Sequence, residues 1–208
     1  MSRIDDYLQA REIAIEKLQI ESFDALIERS GFEPSGSAGF RVPFLDRLYS
    51  IDFPACNFID LSEDAKEIPL QEQVVILHYL LGAGAGNPTG EWIPYREIPG
   101  ASLYHSVFIK RAVDPLKSVF GRNPSRLSKV AGNLGGKKAA HGDVGIEFFI
   151  LPKVPIQLIL WEGDEEFPPE ANILFDRSIA KIHSPEDAAW MASLLVYRLI
   201  ALAKQPQS

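Results

Sequence analysis

Residues 144–161, VGIEFFILPKVPIQLILW, decide the fold. Every second residue is apolar in both halves of this stretch, which is the period of a β-strand: Val144, Ile146, Phe148, Ile150, Ile156, Leu158 and Leu160. Pro152 and Pro155 lack a backbone N–H, so the segment Pro152–Pro155 predicts a connection rather than sheet. The stretch therefore predicts a β-hairpin. The second face of this hairpin also carries apolar side chains, namely Phe149, Leu151, Ile159 and Trp161. We therefore expect both faces to be largely covered.

Other extended segments lie on both sides of this hairpin. Residues 40–44 and 49–53 alternate in the same way and predict a second hairpin, with its turn near Asp46-Arg47. Residues 171–175 predict one more strand. Residues 91–98 also look extended, but Pro94 confines them to a sheet edge or to a position outside the sheet.

Helical patterns occupy most of the remaining chain. The first thirty residues predict one amphipathic helix that stops at Gly31, and residues 70–81 predict a buried helix. Ser102 caps a helix predicted over 103–113, which Asp114-Pro115 breaks or restarts, and a short helix starts near Asn123-Pro124. Ser184 and Pro185 begin a final, nearly all-apolar helix. Helices and hairpins that do not alternate as βαβ units predict an α+β fold.

The expected architecture is a mainly antiparallel sheet built from hairpins and packed by several helices, including the N- and C-terminal ones. No internal repeat or boundary is evident, so residues 1–208 are expected to form a single domain.

Composition excludes several classes of protein. Hydrophobic residues make up 46% of the chain and the formal net charge is −7, which excludes disordered chains and uniformly basic nucleic-acid binders. The single cysteine, Cys56, excludes a disulfide framework and any iron–sulfur or zinc site built from this chain's own thiolates. The N-terminal sequence lacks the apolar core of a signal peptide, and no stretch is long enough to span a bilayer. We therefore expect a cytoplasmic protein that contacts neither nucleic acid nor membrane.

One candidate ligand site follows the predicted short helix. Exposed glycine N–H groups beside lysines can cradle a phosphate or carboxylate, and a histidine between glycines can present a ligand or base. The candidate residues are Gly135, Gly136, Lys137, Lys138, His141 and Asp143. The same pattern is also typical of a helix C-terminus with glycine caps and lysines that match the helix dipole.

A second candidate site is the acidic run that begins at residue 162, directly after the strand predicted to end at Trp161. Carboxylates at a strand end can hold a hard cation or act as general acid and base. The candidate metal ligands are Glu162, Asp164, Glu165, Asp176 and His105. Asp176 joins this cluster only if strands 155–161 and 171–175 are neighbours. The alternative is a solvated acidic turn that keeps the strand edge soluble.

Several other patterns carry little chemistry. The glycines of residues 82–86 follow a helix instead of a strand, so they favour a linker over a dinucleotide loop. His78 lies inside the predicted buried helix and is expected to be structural. No Ser-His-Asp order, nucleophile elbow or metalloprotease helix is present, so the question of catalysis stays open and no cofactor is indicated.

Charge is segregated along the chain. Residues 104–143 hold eight Lys or Arg and two Asp, whereas residues 162–187 hold eight acids and two basic residues. These segments contain most of the candidate site residues. They could also neutralise each other across the fold.

Much of the chain resembles a prokaryotic family catalogued as domain of unknown function 3786. The resemblance covers about residues 10–203 and is carried by Gly142-Asp143, Leu151-Pro152, Val154-Pro155-Ile156, the run from Leu160 to Pro168, Asn172 to Asp176 and Glu186-Asp187, with Leu77 to Leu80 and Gly90 to Tyr95 upstream. Members come mostly from anaerobes, and some carry cysteine motifs of the iron–sulfur kind. This chain lacks those cysteines, and no catalytic residue is assigned in the family.

Three functions follow from these observations. The first is a module that binds a small anionic ligand or cofactor. The second is a metal-dependent, hydrolase-type enzyme that uses the acidic cluster and a histidine. The third, implied by the resemblance, is a partner-binding accessory protein of anaerobic redox metabolism. A binding or accessory role is favoured over catalysis.

Overall fold

The structure is a computed structural model that describes residues 3–205. These residues form two compact units. The first comprises the chain up to Asn87 with Leu151–Lys153 and Lys181–His183, and the second comprises Pro88–Ile150, Val154–Ala180 and the chain from Ser184 onward. The single domain predicted for residues 1–208 stays a prediction.

The first unit combines three helices with a small sheet. Its elements are α1 (Arg3–Gln19), α2 (Phe23–Ser30), β1 (Glu33–Pro34), β2 (Gly39–Phe44), β3 (Arg47–Asp52), β4 (Phe58–Asp60) and α3 (Leu70–Gly82). The four strands are antiparallel and lie in the order β1-β2-β3-β4. The predicted hairpin over residues 40–53 is confirmed. The predicted helix over 70–81 is also confirmed, and Ile76, Leu77 and Leu80 are fully buried in it.

The single helix predicted over the first thirty residues is wrong. The chain breaks between α1 and α2, and the Ser22 hydroxyl accepts the Ala25 N–H at 3.2 Å. A serine at this position satisfies a free N–H of a new helix, so it starts α2 even though the apolar periodicity runs past it. Gly31 ends α2 with a left-handed φ of 72°, as predicted. The remaining two residues at the start of the predicted helix lie outside the described residues.

The second unit is built on a five-stranded sheet. Its strands are β5 (Trp92–Pro94), β6 (Lys137–Ala139), β7 (Val144–Leu151), β8 (Val154–Trp161) and β9 (Glu170–Asp176), in the order β5-β9-β8-β7-β6. The predicted hairpin over residues 144–161 and the predicted strand over 171–175 are confirmed. The connection predicted over Pro152–Pro155 is too long, because Val154 and Pro155 already belong to β8, and Phe149 and Trp161 are exposed although both faces were expected to be largely covered. The short strand β5 lies at an edge of the sheet, where its proline costs no ladder hydrogen bond.

Helices of the second unit pack on this sheet. They are α4 (His105–Phe108), α5 (Asp114–Phe120), α6 (Ser125–Ala131) and α8 (Pro185–Lys204), with short 3₁₀ turns at 95–97, 101–103 and 132–134. A 3₁₀ turn at 83–85 follows α3 in the first unit, and a short helix α7 (Ile179–Ile182) follows β9. Helix α8 contacts α4, α5 and α6. Its central residues Ala192, Leu195 and Leu199 are fully buried. The predicted α+β fold with antiparallel sheets is therefore confirmed. No helix within residues 3–205 is long and apolar enough to cross a membrane.

Of the two outcomes predicted at Asp114-Pro115, a break or a restart, the structure shows the restart, because α5 begins at Asp114 without an interruption of the helical chain. A π-helical turn, Ile109–Val113, joins α4 to α5 and keeps residues 105–120 helical. The Asp114 N–H donates to the Ile109 carbonyl, five residues back. A proline inside an α-helix clashes with the carbonyl four residues before it, and one wider turn relieves that clash.

Ser184 begins α8 with a reciprocal capping box. Its hydroxyl accepts the Asp187 N–H at 3.1 Å, and the Asp187 carboxylate accepts the Ser184 N–H at 3.4 Å. Replacing Ser184 with alanine should lower the free energy of unfolding by about 1 kcal/mol, because one helix N–H loses its acceptor. Urea unfolding followed by circular dichroism measures the change. Ser118→Ala, in the middle of α5, is the control, and an equal loss in both variants would contradict the capping role.

Candidate functional site

The second unit contains a cavity of about 300 Å³ at the edge of its sheet. It lies where β5 ends, between the chain that follows β5, the helical segment 105–113 and the outer edge of β9. Apolar and polar groups contribute nearly equally to its surface, and the lining residues are Pro94, Tyr95, Arg96, His105, Phe108, Ile109, Val113, Ala171, Asn172 and Leu174. The volume lies at the lower end of the range for small-molecule sites.

The unequal lengths of two neighbouring strands expose the edge of β9 at the cavity. β5 pairs only with Leu174, Phe175 and Asp176, so the first half of β9 has no β5 partner. The Arg177 N–H donates to the Glu91 carbonyl, which shows that odd-numbered residues of β9 direct their N–H groups toward the β5 side. The Ala171 N–H therefore points away from β8 and toward the cavity edge.

Two stacked aromatic rings lie at the floor of the cavity, and both are almost fully buried. The centroids of the Tyr95 and Phe108 rings are 4.2 Å apart and the rings are nearly parallel, at 10°. The Tyr95 hydroxyl donates to the Pro185 carbonyl at 2.8 Å, which fixes the ring. Burial raises the pKa of Tyr95, with smaller contributions from Tyr104 and Glu186, so this hydroxyl stays protonated and remains a donor.

The cavity rim carries two exposed basic groups, Arg96 and His105. Within residues 3–205, Arg96 has no hydrogen bond or ion pair, and the recorded contact of His105 is with the Tyr95 ring, 6.3 Å between centroids. Nearby, the Tyr104 hydroxyl donates to Glu186 at 3.0 Å. This bond ties the chain immediately before His105 to the start of α8.

A third polar group at the rim is Asn172, which is half-buried. Its side-chain oxygen accepts the N–H of Ile173 at 2.9 Å. The side chain thus satisfies one donor on the uncovered edge of β9, which protects the edge from pairing with another strand. In the described part of the chain, the Asn172 Nδ2 group donates to no protein atom.

The π-helical turn contributes directly to the cavity. Ile109 and Val113, the first and last residues of the turn, both line it. Isolated π turns within helices occur frequently at functional sites. The π-helical turn is therefore a second, independent indication that the cavity is a functional site.

The structure places the predicted anion site on a helix end and a sheet edge. The N–H groups of Gly135 and Gly136 donate to the carbonyls of Gly132 and Ala131, at 3.1 and 2.9 Å. The glycine amides that were expected to bind an anion are therefore already satisfied by the end of α6. A Cβ on Gly136 would lie 2.6 Å from the Phe148 ring, so this glycine is also needed for close packing.

The other residues of that predicted site lie on the surface. Lys137 and Lys138 belong to the edge strand β6, where Lys137 is opposite Glu147 of β7. His141 is exposed in the following turn. The Asp143 carboxylate accepts the N–H of Glu162 at 2.7 Å. A ligand at these side chains stays a prediction.

The structure does not bring the predicted metal ligands together. β8 and β9 are neighbours, but they are antiparallel, and Trp161 is opposite Glu170. Asp176 therefore lies six residues farther along β9, about 20 Å from the acidic turn. His105 lines the cavity instead. Within residues 3–205, no group of three His, Cys, Asp or Glu side chains could hold a metal ion.

The acidic turn is organised by its own backbone. The Asp164 carboxylate accepts the N–H groups of Glu166 and Phe167 at 2.8 and 2.7 Å. These two bonds hold the pKa of Asp164 below its usual value. The arrangement matches the solvated acidic turn that was the alternative to a metal site.

Asp176 has a different role at the far end of β9. It is 1% exposed, and its carboxylate accepts the N–H groups of Thr89, Gly90 and Ser178 at 2.9, 2.6 and 2.8 Å. Burial acts to raise the pKa of Asp176, but the hydrogen bonds from Ser178, Thr89 and Gly90 outweigh it and lower the pKa. The carboxylate thus holds the chain that leads into β5.

Cys56 lies in the first unit and is fully buried. Burial raises the pKa of its thiol to about 11. The thiol is therefore protonated at neutral pH and is a poor nucleophile.

Sequence reasoning missed Arg96 and Asn172 as site residues. Arg96 follows a proline that ends an edge strand, and Asn172 lies on the neighbouring strand. The sequence contains a weak signal for Arg96, since residues that follow such a proline leave the sheet at its edge. Pairing of β5 with β9 is needed before Asn172 can be placed beside it.

A family model described as Domain of unknown function (DUF3786) matches residues 22–198 of the 208. The chain belongs to this family. The family suggested by the sequence is therefore confirmed, and the match includes every residue that lines the cavity. No curated protein and no solved structure matches the chain.

Replacing Asp176 with asparagine should lower the free energy of unfolding by about 1–3 kcal/mol at pH 7, because buried N–H groups lose a charged acceptor. The pKa of Asp176 is lowered in the folded state, so its contribution is present above the ordinary Asp pKa of about 3.9 and is lost as the pH falls through the lower, folded-state pKa. Urea unfolding at a series of pH values measures this.

The control for Asp176→Asn is Glu165→Gln, which changes an exposed acid in the same way. The difference in the free energy of unfolding between Asp176→Asn and the wild type should become smaller at strongly acidic pH. A difference that stays constant with pH would show that the charge of Asp176 is unimportant.

Proposed function

We propose that this protein binds a small molecule in the cavity at the edge of its five-stranded sheet. The observation that carries the proposal is the cavity itself, about 300 Å³ with a fixed aromatic floor and unpaired polar groups at its rim. Pre-formed pockets with an apolar lining and a few polar groups are where proteins hold ligands. The π-helical turn in the lining supports the same proposal.

The role of a small-molecule binding module agrees with the function favoured from the sequence, but the proposed position differs. The alternative position is the surface around Lys137, Lys138 and His141. There the glycine amides are already engaged. A binding role at the cavity also requires no metal, so it does not depend on the dispersed acidic residues.

Two experiments locate and identify the ligand. Native mass spectrometry of protein purified anaerobically from its own host detects a co-purified molecule, and visible absorption of the same sample detects a redox cofactor. Amide NMR spectra recorded with a library of small organic compounds then map binding. Shifts should cluster at residues 94–96, 105–113 and 171–174.

Filling the cavity should abolish these NMR shifts. Ala171→Leu places a larger side chain in the lining, and Ala140→Leu makes the same change at an exposed position outside it. The first variant should lose binding of every hit, by at least about tenfold in Kd, and the control should retain it. Ile109→Phe fills the cavity from its opposite side if Ala171→Leu does not fold.

The double variant Lys137→Ala/Lys138→Ala tests the alternative surface. It should leave the hits of the cavity unchanged. Loss of binding in this variant, with retention in Ala171→Leu, would overturn the proposal in favour of the alternative surface. Absence of any hit that responds to the filling variants would overturn it altogether.

A further inference from the structure

Donors predominate among the polar groups around the cavity. The Arg96 guanidinium and the Asn172 Nδ2 group only donate, the His105 ring can donate and accept, and the N–H and C=O of Ala171 both point to the uncovered edge of β9. Among the described residues that line the cavity, none is an aspartate or glutamate. The Tyr95 hydroxyl is already committed to the Pro185 carbonyl.

The charge of Arg96 selects among ligands. A positive, unpaired guanidinium at the mouth of a pocket favours an acceptor that carries negative charge. A cationic ligand would be repelled by Arg96, and no aspartate or glutamate in the lining would offset that repulsion. A neutral ligand would leave the Arg96 guanidinium hydrogen-bonded to water only. The apolar side chains of the lining, Ile109, Val113 and Leu174 among them, favour an apolar body for the rest of the ligand.

We infer that the ligand is a small carboxylate with an apolar body, bound with its carboxylate at Arg96 and its body against the apolar side chains of the cavity lining. This inference rests on the proposed function, whose ligand it specifies. The planar guanidinium offers two parallel N–H groups, which match the two oxygens of a carboxylate. Asn172 and Ala171 provide further donors along the uncovered edge of β9.

Arg96 is distinguished from the other arginine near this edge by its lack of partners. Arg177, two residues beyond the β9 partner of Ile93, forms ion pairs with Glu91 at 2.6 Å and Glu97 at 3.9 Å. Glu97 is thus directed to Arg177 although it adjoins Arg96. Glu91 and Glu97 therefore pair with Arg177, and the guanidinium of Arg96 stays available for a ligand.

The test compares acids with their neutral amides. Hexanoate and hexanamide have the same body and nearly the same shape, as do phenylacetate and phenylacetamide. Calorimetry or NMR titration should give each acid a Kd at least about tenfold lower than that of its amide, since a hydrogen bond to a charged group contributes more than a neutral one. Acetate, which lacks the apolar body, should bind more weakly than hexanoate.

Arg96→Met should raise the Kd of hexanoate by about tenfold to a hundredfold and leave that of hexanamide unchanged. Arg96→Lys should retain part of the preference, because the charge remains but the paired N–H groups are lost. Arg122→Met is the control, since Arg122 is exposed and does not line the cavity. Circular dichroism and the thermal midpoint verify that each variant is folded.

The outcomes separate this inference from the proposed function. If amides bind as tightly as acids and Ala171→Leu abolishes both, the cavity binds small molecules but the inferred charge is wrong. If the acids bind and Arg96→Met weakens acid and amide alike, the inferred role of Arg96 is wrong. If library compounds bind in the cavity but no acid binds below about 10 mM, the carboxylate inference fails alone. If nothing binds there, both fail.

Discussion

The hydrogen bonds to one buried carboxylate, Asp176, set the geometry on which the candidate site depends. Asp176 ends β9 and accepts N–H groups from Thr89 and Gly90, so it fixes the point at which the chain enters β5. β5 then runs for only three residues before Pro94 ends it. Because β5 starts at a fixed position and stops early, the first half of β9 is left uncovered, and the cavity forms there. A residue that sequence reasoning assigned to a metal site thus shapes the site from a distance.

The fold could be predicted wherever one local signal dominated. The alternation in residues 144–161 identified the hairpin at the centre of the second sheet, and Ser184 with Pro185 identified the start of α8. The sequence did not decide the outcome where two signals competed. At Ser22 a capping hydroxyl interrupts an apolar periodicity that runs on, and at Pro115 a helix breaker is accommodated by a π turn. In both places the outcome depends on which interaction is stronger, and the pattern alone does not rank them.

The candidate site was harder to predict because it is made by strand pairing. His105 was singled out from the sequence, but as a partner of acids that lie at the other end of an antiparallel strand. Antiparallel pairing of β8 with β9 places Asp176 far from Glu162. The antiparallel sheet expected from the sequence already implied this separation, but the metal-site hypothesis considered only whether the two strands are neighbours. Arg96 and Asn172 are distant in sequence and meet only because β5 lies beside β9. The sequence suggested a small anionic ligand at Lys137 and Lys138, whereas the proposal drawn from the structure puts a ligand of that class at the cavity.

The segregation of charge along the chain has a consequence for that ligand. Among the described residues, no lysine or arginine of 104–143 forms an ion pair with an acid of 162–187, so the two segments do not neutralise each other in that way. Arg111 lies over the Trp190 ring, Arg126 donates to the Ala203 carbonyl, and Lys117 pairs with Asp114 of its own helix. The basic segment begins at the cavity rim, beside His105. Acids also lie close to this rim, since Glu97 follows Arg96 and Glu186 accepts the Tyr104 hydroxyl. The charge at the rim is therefore set by these nearby groups and not by the net charge of −7 of the whole chain, because screening at physiological salt limits the influence of more distant charges to about 8 Å.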